Sequence, residues 1–466
     1  METDARTELL TVADLAGPPG LPVVGNLPAF ARGAIPHRRL YGWREKYGAT
    51  FRMRFPGTDV VVTSEPGIID TVLRDRPTSF RRARFVSDLI DELGAHGLFN
   101  AESDDWRRLR RIAMRGLNAK YVRASFGTIL RSAGRLRDRW GALEGQRIDV
   151  VDELLRYTLE VSIGLTMGHQ PDAGLHRKLS LVFSTLGRRL NSPLPYWRWM
   201  RLPADRRTDT AVAEIGELIL SRYAEARRRM ADGAEPVDFL TALAKADLDG
   251  EDPLDDADVV GNVLTMVVAG EDTTAAAAAW TLHFLATHPD VQRRVRAEAA
   301  EVFGGDGSLV DASAVSRLTY AEAVVNEAMR LRAPAPYLVM EPVADTTVTD
   351  GTRELSLTRG TPVFVLLTYG AETDTGRYPD PEAFRPDRWL TQDAPVPGAQ
   401  PHLPFGNGPR FCPGRNLALL ETTLLAAMTC QSFVIEPDTS AGPVKERMTF
   451  ALFPKNLGVR MRPVSS

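Results

Sequence analysis

A helical pattern runs unbroken from about Asp255 to Thr287, and nothing else in the chain constrains the fold as strongly. Asp255 and Asp256 are placed to cap its start, and Pro289 closes it. At 1.5 Å per residue such a helix is roughly 45–50 Å long, enough to cross a whole domain. Its middle, Val263 to Ala279, carries no charge apart from Glu271 and Asp272. A helix apolar nearly all round is buried. The rest of the chain must therefore build a large core around it. Two adjacent carboxylates inside that segment call for a reason.

Helical periodicity dominates elsewhere too. Strand-like runs are short: Thr50 to Phe55 with Asp59 to Thr63, then Glu354 to Leu357 with Pro362 to Leu366. Glycines and prolines separate them, which predicts small peripheral sheets. A length of 466 residues carries a soft prior of about three domains. No internal repeat or low-complexity linker divides the chain, and the polar loops at Asp232 to Pro236 and Asp247 to Leu254 are short. The expectation is a mainly α protein: a flexible lead-in over 1–17 and one large domain over 18–466. With 44% hydrophobic residues, a core of that size is affordable.

Net charge is −3, which argues against general nucleic-acid binding. The cations are 51 Arg and only 6 Lys, a bias that points to a GC-rich bacterial coding sequence. The N-terminal residues show no apolar run of about 18 residues and no basic segment leading into one, so no membrane anchor or signal peptide is expected. Two cysteines, Cys412 and Cys430, exclude a disulfide framework. Both are expected reduced, in a cytoplasmic protein. Cys430 lies in an apolar run and reads as core packing.

Cys412 is different. It stands in Phe405-Gly-Asn-Gly-Pro-Arg-Phe-Cys-Pro-Gly414, just before the apolar helical run Asn416 to Glu421. Glycine and proline at that density shape a tight turn. Backbone N–H groups and the following helix N-terminus can then stabilise a thiolate. A lone cysteine is usually a small buried hydrophobe, but a filler needs no shaped glycine four residues upstream. A dinucleotide-binding reading fails because Phe411 stands where GxGxxG needs glycine, and no lysine follows to make a phosphate loop. Cys412 reads as a metal ligand.

The carboxylates of the long helix belong to Ala269-Gly-Glu-Asp-Thr-Thr274. Gly270 weakens the helix and admits a close approach to its backbone. Thr273 either bonds back to a carbonyl one turn earlier or leaves room for a ligand. Asp272 beside it supplies an acid next to a hydroxyl, a pair suited to passing protons. Glu271, one position round, is expected to point elsewhere, into a salt bridge or a water chain.

The cysteine turn fits F-x-x-G-x-R-x-C-x-G at every fixed position, and with Ala269 to Thr274 it resembles the cytochrome P-450 family. The resemblance spans nearly everything from Pro18 to about Arg462, with five motifs in the family's order. Pro18 to Asn26 is similar to the proline-rich entry segment that membrane-bound members carry after their anchor. It implies the family's fold, a large helical domain with a small β-rich lobe, and haem b lying between the long helix and the cysteine helix with Cys412 as axial thiolate. Asp272 and Thr273 would supply protons during oxygen activation. Phe405, Arg410 and Gly414 would shape the cofactor loop, and Ala269 and Gly270 would lie against the cofactor. Trp106 and Arg110, at i and i+4 in Asp105-Trp-Arg-Arg-Leu-Arg-Arg111, resemble the family's propionate-binding W-x-x-x-R, and Arg410 would hold the other propionate or the same one. Glu327-Ala-Met-Arg330 looks like the family's E-x-x-R, with Arg388 of Phe384-Arg-Pro-Asp-Arg-Trp389 as third member of a structural lock. Taken alone, E-x-x-R describes mostly solvated surface pairs.

One departure from the family stands out. Relatives place a propionate-binding arginine or histidine shortly after that helix, where this chain has Pro342 beside Glu341. Proline has no donor, so anchoring on that side shifts to another residue and marks an unusual subgroup.

The implied function is a haem-thiolate monooxygenase that inserts one oxygen atom from O2 into a C–H bond of a medium-to-large hydrophobic small molecule. The bacterial composition points to specialised metabolism. The chain is expected to be a monomer, with electrons arriving from a separate ferredoxin or flavodoxin-type donor and its reductase. Substrate walls are expected from Phe85 to Leu98, Leu264 to Ala269, Ala333 to Val339 and Thr449 to Leu452, with Asn191 to Trp199 in a lid. The arginines 107, 108, 111 and 115 form either a solvated strip or a dock for an acidic partner. Two alternatives keep most of these motifs: a non-hydroxylating member (epoxidation, coupling or ring closure), and a haem sensor or carrier.

Overall fold

The computed structural model describes residues 8–464, except 32–34, 118, 170, 191, 193–194, 251–252, 304–311 and 392–401. The chain divides into two compact units. One comprises 1–89, 335–382 and 396–412; the other comprises 90–334, 383–395 and 413–466.

The first unit holds a five-stranded sheet in the order Thr50–Phe55, Thr58–Thr63, Val363–Leu366, Tyr337–Pro342, Phe80–Arg82. The second and third strands run parallel and the other neighbours antiparallel. Side chains alternate across a strand. Val61, Val363 and Val365 thus enter one apolar cluster with Ile68, Val72 and Leu73, while Val60, Val62, Phe364 and Leu366 enter another with Leu40 and Phe51. Both faces are covered, which is why Val363–Leu366 is apolar throughout.

That burial corrects one expected pairing. Glu354 to Leu357 does not pair with the 363–366 run. Arg353–Leu357 is solvent-facing at alternate positions, and it lies instead between Glu8–Thr11 (parallel) and Thr346–Thr349 (antiparallel). The lead-in expected to be flexible therefore contains a strand at Glu8–Thr11 and a 3-10 turn at Val12–Asp14. Its first seven residues lie outside the described ones.

The second unit is mostly helical and is built around Asp256–Thr287. The expected cap forms: Asp258 N–H donates to Asp255 Oδ1 at 2.7 Å. Against this helix pack Val150–Met167, Thr319–Leu331 and the cysteine helix Arg415–Ser432. Val150–Met167 is capped by Asp149 and stopped by Gly168 in the left-handed region. The run Ala275 to Ala279 is fully buried, its short side chains letting neighbouring helices approach. A small sheet joins Phe433–Asp438, Gly458–Pro463 and Arg147–Asp149, and a hairpin joins Lys445–Met448 to Leu452–Lys455. Trp280 Nε1 donates to Leu452 O at 2.8 Å, tying the hairpin to the long helix.

Candidate active site

In the first unit the cysteine turn is shaped by two left-handed glycines, Gly406 at φ +70° and Gly408 at φ +73°. A side chain at Gly408 would collide with the carbonyl of Leu73, so only glycine fits there. Asn407 bridges the turn, its Oδ1 accepting from Gly408 N–H at 2.8 Å and its Nδ2 donating to Asp70 at 3.3 Å. Cys412 N–H donates to Phe405 O at 2.9 Å, closing the loop and leaving the thiol half-buried and unbridged. Phe405 and Arg410 are half-buried, and Phe411 is exposed. Cys430, by contrast, is fully buried in the second unit's core, where burial pushes its thiol up to about 12.

Glu341, in the first unit's sheet, sits directly opposite Arg81. Its Oε1 accepts from Arg81 Nε at 2.8 Å and lies 2.7 Å from Arg81 Nη2, and its Oε2 accepts from Arg84 N–H at 3.1 Å. Beside Pro342, where the chain departs from the family pattern, there is thus a cross-strand ion pair.

In the second unit, the long helix is buried except along one side. Met266, Ala269, Gly270 and Thr273 share that side at i, i+3, i+4 and i+7, and all are half-buried. Thr273 Oγ1 donates to Ala269 O at 2.7 Å, the back-bonded alternative. Asp272 is half-buried as well. Burial raises its carboxyl to about 6, against the opposing pull of Arg447. Glu271 is 4% exposed and its Oε2 has no hydrogen-bond partner among the described residues. Burial, with Asp272 adjacent, pushes its carboxyl well above the usual range. Of the salt bridge or water chain expected for Glu271, no salt bridge is present among the described residues. Gly270 has a packing reason of its own, since a Cβ there would stand 2.7 Å from Ser162 Oγ of the neighbouring helix.

Trp106 and Arg110 lie on the inner side of Ser103–Gly116, the first buried and the second half-buried. The arginine strip outside them is largely paired. Arg107 meets Asp104, and Arg108 reaches Asp258 at 2.8 Å and Asp105 at 2.9 Å. Arg111 is exposed, and the side chain of Arg115 lies outside the described residues.

The E-x-x-R pair is buried, not solvated. Glu327 and Arg330 side chains are both 0% exposed, and among the described residues the glutamate accepts five hydrogen bonds. Two come from Arg330 (Nε and Nη2), one from Arg388 Nε, one from Trp389 Nε1 and one from the Arg385 N–H, each at 2.9 Å. The motif pointed to Arg388. The indole and the backbone donor gave no sequence signal.

Also in the second unit, an apolar cavity is lined by Ile90, Leu93, Ala95, Phe99, Val182, Leu186, Thr265, Val268, Ala269 and Phe450. The one polar side chain among them, Thr265, donates to Ala95 O at 3.4 Å. Phe99 and Phe450 face each other at 6.1 Å between ring centroids. Three of the four expected walls contribute here or flank it within this unit, whereas Phe99 and the Ala173–Leu190 helix, which supplies Val182 and Leu186, were not anticipated. Of the expected lid, Trp197 is buried and bound to Glu92, and Asn191, 193 and 194 lie outside the described residues.

These residues fit a thiolate-bound haem. The donor is a half-buried cysteine outside any disulfide, on a shaped turn. The second unit carries two half-buried, mainly apolar faces: the 266/269/270/273 side of the long helix, and Leu417, Ala418, Leu419 and Leu420 at the start of the cysteine helix, whose residues 421–430 are buried. A flat apolar group satisfies such faces.

The comparison with protein families agrees: the cytochrome P-450 model matches residues 15–461. The chain is similar to the mitochondrial 25-hydroxyvitamin D-1 alpha hydroxylase of Mus musculus, at 27% identity over 97% of this chain and 92% of that protein. It is also similar to the cyclooctat-9-en-7-ol 5-monooxygenase of Streptomyces melanosporofaciens, at 27% identity over 90% of this chain and 89% of the relative. A third relative is LUTEIN DEFICIENT 5, a chloroplastic protein of Arabidopsis thaliana, at 26% identity over 86% of this chain and 69% of the relative. Among the described residues no helix is long and apolar enough to cross a membrane.

Proposed function

The chain belongs to the cytochrome P-450 family and is a monooxygenase with thiolate-ligated haem, working with a substrate, O2 and a redox partner; on that premise we propose that Cys412 is the iron ligand and that the substrate is a medium-to-large hydrophobic small molecule. The observation that carries the substrate class is the apolar lining of the second unit's cavity, which offers no charge and one hydroxyl already in use. Such pockets select by shape and apolar area.

Haem, when bound, supplies the oxidising chemistry that places one oxygen atom from O2 into a substrate C–H bond. The chain's own residues do the rest. Cys412 would hold the haem iron through its thiolate, whose electron donation tunes the iron's reactivity. Phe405, Gly414, Ala269 and Gly270 shape the cofactor's surroundings, and Trp106, Arg110 and Arg410 hold its carboxylates by hydrogen bonds and charge. Asp272, titrating near 6, is poised to take and release a proton at neutral pH, and Thr273 Oγ1 hands that proton on. The half-buried apolar side of the long helix excludes water from the reacting atoms.

Residues 18–466 act as one haem domain in this reading. The enzyme works as a cytoplasmic monomer in bacterial specialised metabolism, a setting supported by the arginine-heavy composition and by the Streptomyces relative. Electrons come from a ferredoxin or flavodoxin-type donor with its reductase. The test is a library screen for spin-state shifts on the haem protein, followed by turnover with a surrogate reductase and mass spectrometry. The expected product is heavier than the substrate by one oxygen and forms only with O2 and reductant. Loss of two hydrogens without oxygen gain would instead assign a coupling or cyclising member.

A further inference from the structure

At the end of the Ala173–Leu190 helix, Arg189 is fully buried with part of its guanidinium idle. Its Nη2 donates to Asp205 Oδ1 at 3.2 Å, while Nε and Nη1 have no partner among the described residues. The same aspartate oxygen also accepts from Arg188 Nη2 at 2.9 Å, and the other caps Leu202 N–H at 3.1 Å. One carboxylate therefore serves two guanidinium groups, leaving one positive charge in excess. Glu92, which binds the neighbouring Trp197, spends its oxygens on Trp197 Nε1 and Arg198 Nε, each at 2.6 Å. The Trp197 ring stacks 5.2 Å from the Arg189 guanidinium carbon. A buried cation with unmet donors is costly unless an anion completes it.

Position says where that anion comes from. Val182 and Leu186 of the same helix line the apolar cavity. At about 100° per residue, Arg189 falls within roughly 20° of Val182 around the helix axis. Helical side chains lean towards the N-terminus, which carries the Arg189 head back towards Leu186. The face that lines the cavity thus continues into an unsatisfied guanidinium.

We propose that Arg189 is an anchoring site for a carboxylate, and that the substrate is an apolar molecule ending in a carboxylic acid whose hydrocarbon body fills the cavity. This rests on the cavity being the substrate site. A neutral acceptor would leave the excess charge uncompensated. A single carboxylate balances it and takes a charge-assisted hydrogen bond from Nε or Nη1. The body of the molecule is then held by its tail, so that oxidation falls away from the acid end.

The experiment compares straight-chain C10–C16 carboxylates with their methyl esters on the haem-loaded protein, by spin-state titration and by equilibrium dialysis. Wild type should bind the acids about tenfold or more tighter than the esters. Arg189→Gln should remove that preference while leaving ester affinity unchanged. Equal binding of acid and ester in wild type overturns the proposal, as does a preference that survives in Arg189→Gln. Should that variant not fold, the wild-type comparison decides by itself. A protein that binds esters without preferring acids keeps its monooxygenase reading and loses only the anchor. If neither class binds, the cavity is not the substrate site and the anchor falls with it.

Discussion

Glu327 and Arg330, one helical turn apart, form a two-pronged ion pair with no solvent exposure, and the glutamate is completed by Arg388, Trp389 and the Arg385 backbone. Removing one member of such a buried network leaves the others uncompensated, at about 3–5 kcal/mol. Glu327→Gln should therefore lower stability by that order and yield little haem-bound protein. Urea unfolding with the haem absorbance as second probe checks it. A variant as stable as wild type would mean that the network contributes nothing.

The cysteine turn allows two glycines to be compared. Both Gly406 and Gly408 are left-handed, but only at Gly408 would a Cβ meet backbone, that of Leu73 and Arg74. Gly406→Ala should cost about 1–2 kcal/mol, the strain alone. Gly408→Ala should cost more and reduce haem retention. Equal losses in thermal unfolding would show that the Leu73 contact does not restrain the turn.

Cys412→Ala should lose the red-shifted absorption of the reduced carbonyl complex, while Cys430→Ala should keep it, since Cys430 is sealed in the core. An unchanged spectrum in Cys412→Ala would falsify the ligand assignment.

Thr273 uses its hydroxyl on Ala269 O, one turn back. With Thr273→Ala the proton path is broken, and product per reductant consumed should fall by about tenfold or more, with peroxide released. Intact coupling would remove Thr273 from the relay.

Asp272 is raised from 3.8 to about 6 by burial. Between those values the folded chain holds a proton that the unfolded chain has released, so the contribution to stability is full below about pH 4 and lost as pH rises through 6. Asp272→Asn cannot ionise. Its stability relative to wild type should therefore climb from pH 4 to pH 6 and stay level above. Parallel melting curves for both proteins across pH 4–8 would contradict the raised carboxyl.

Local patterns in the chain carried their information well. The ends of Asp256–Thr287 follow from a capping aspartate and a closing proline, and the cysteine turn from glycines that can take the left-handed conformation other residues resist. Pairing across distance did not. Arg353–Leu357 and Val363–Leu366 both read as short strands, and only their different burial assigns the second to a central strand and the first to a separate sheet. Glu271 looked like a carboxylate turned to a salt bridge or a water chain, and the fold buried it with no salt-bridge partner among the described residues.

The amino-acid order alone determined a long buried helix, a thiolate loop and the class of chemistry, because each is written in residues adjacent in sequence or one helical turn apart. Tertiary structure decided what those groups meet. It brought Val182 and Leu186 to the same cavity as Phe99 and Phe450, set Glu341 opposite Arg81, and left Arg189 buried with donors to spare. Burial and unmet hydrogen bonds are properties of neighbours distant in sequence, so they exist only once the chain has folded.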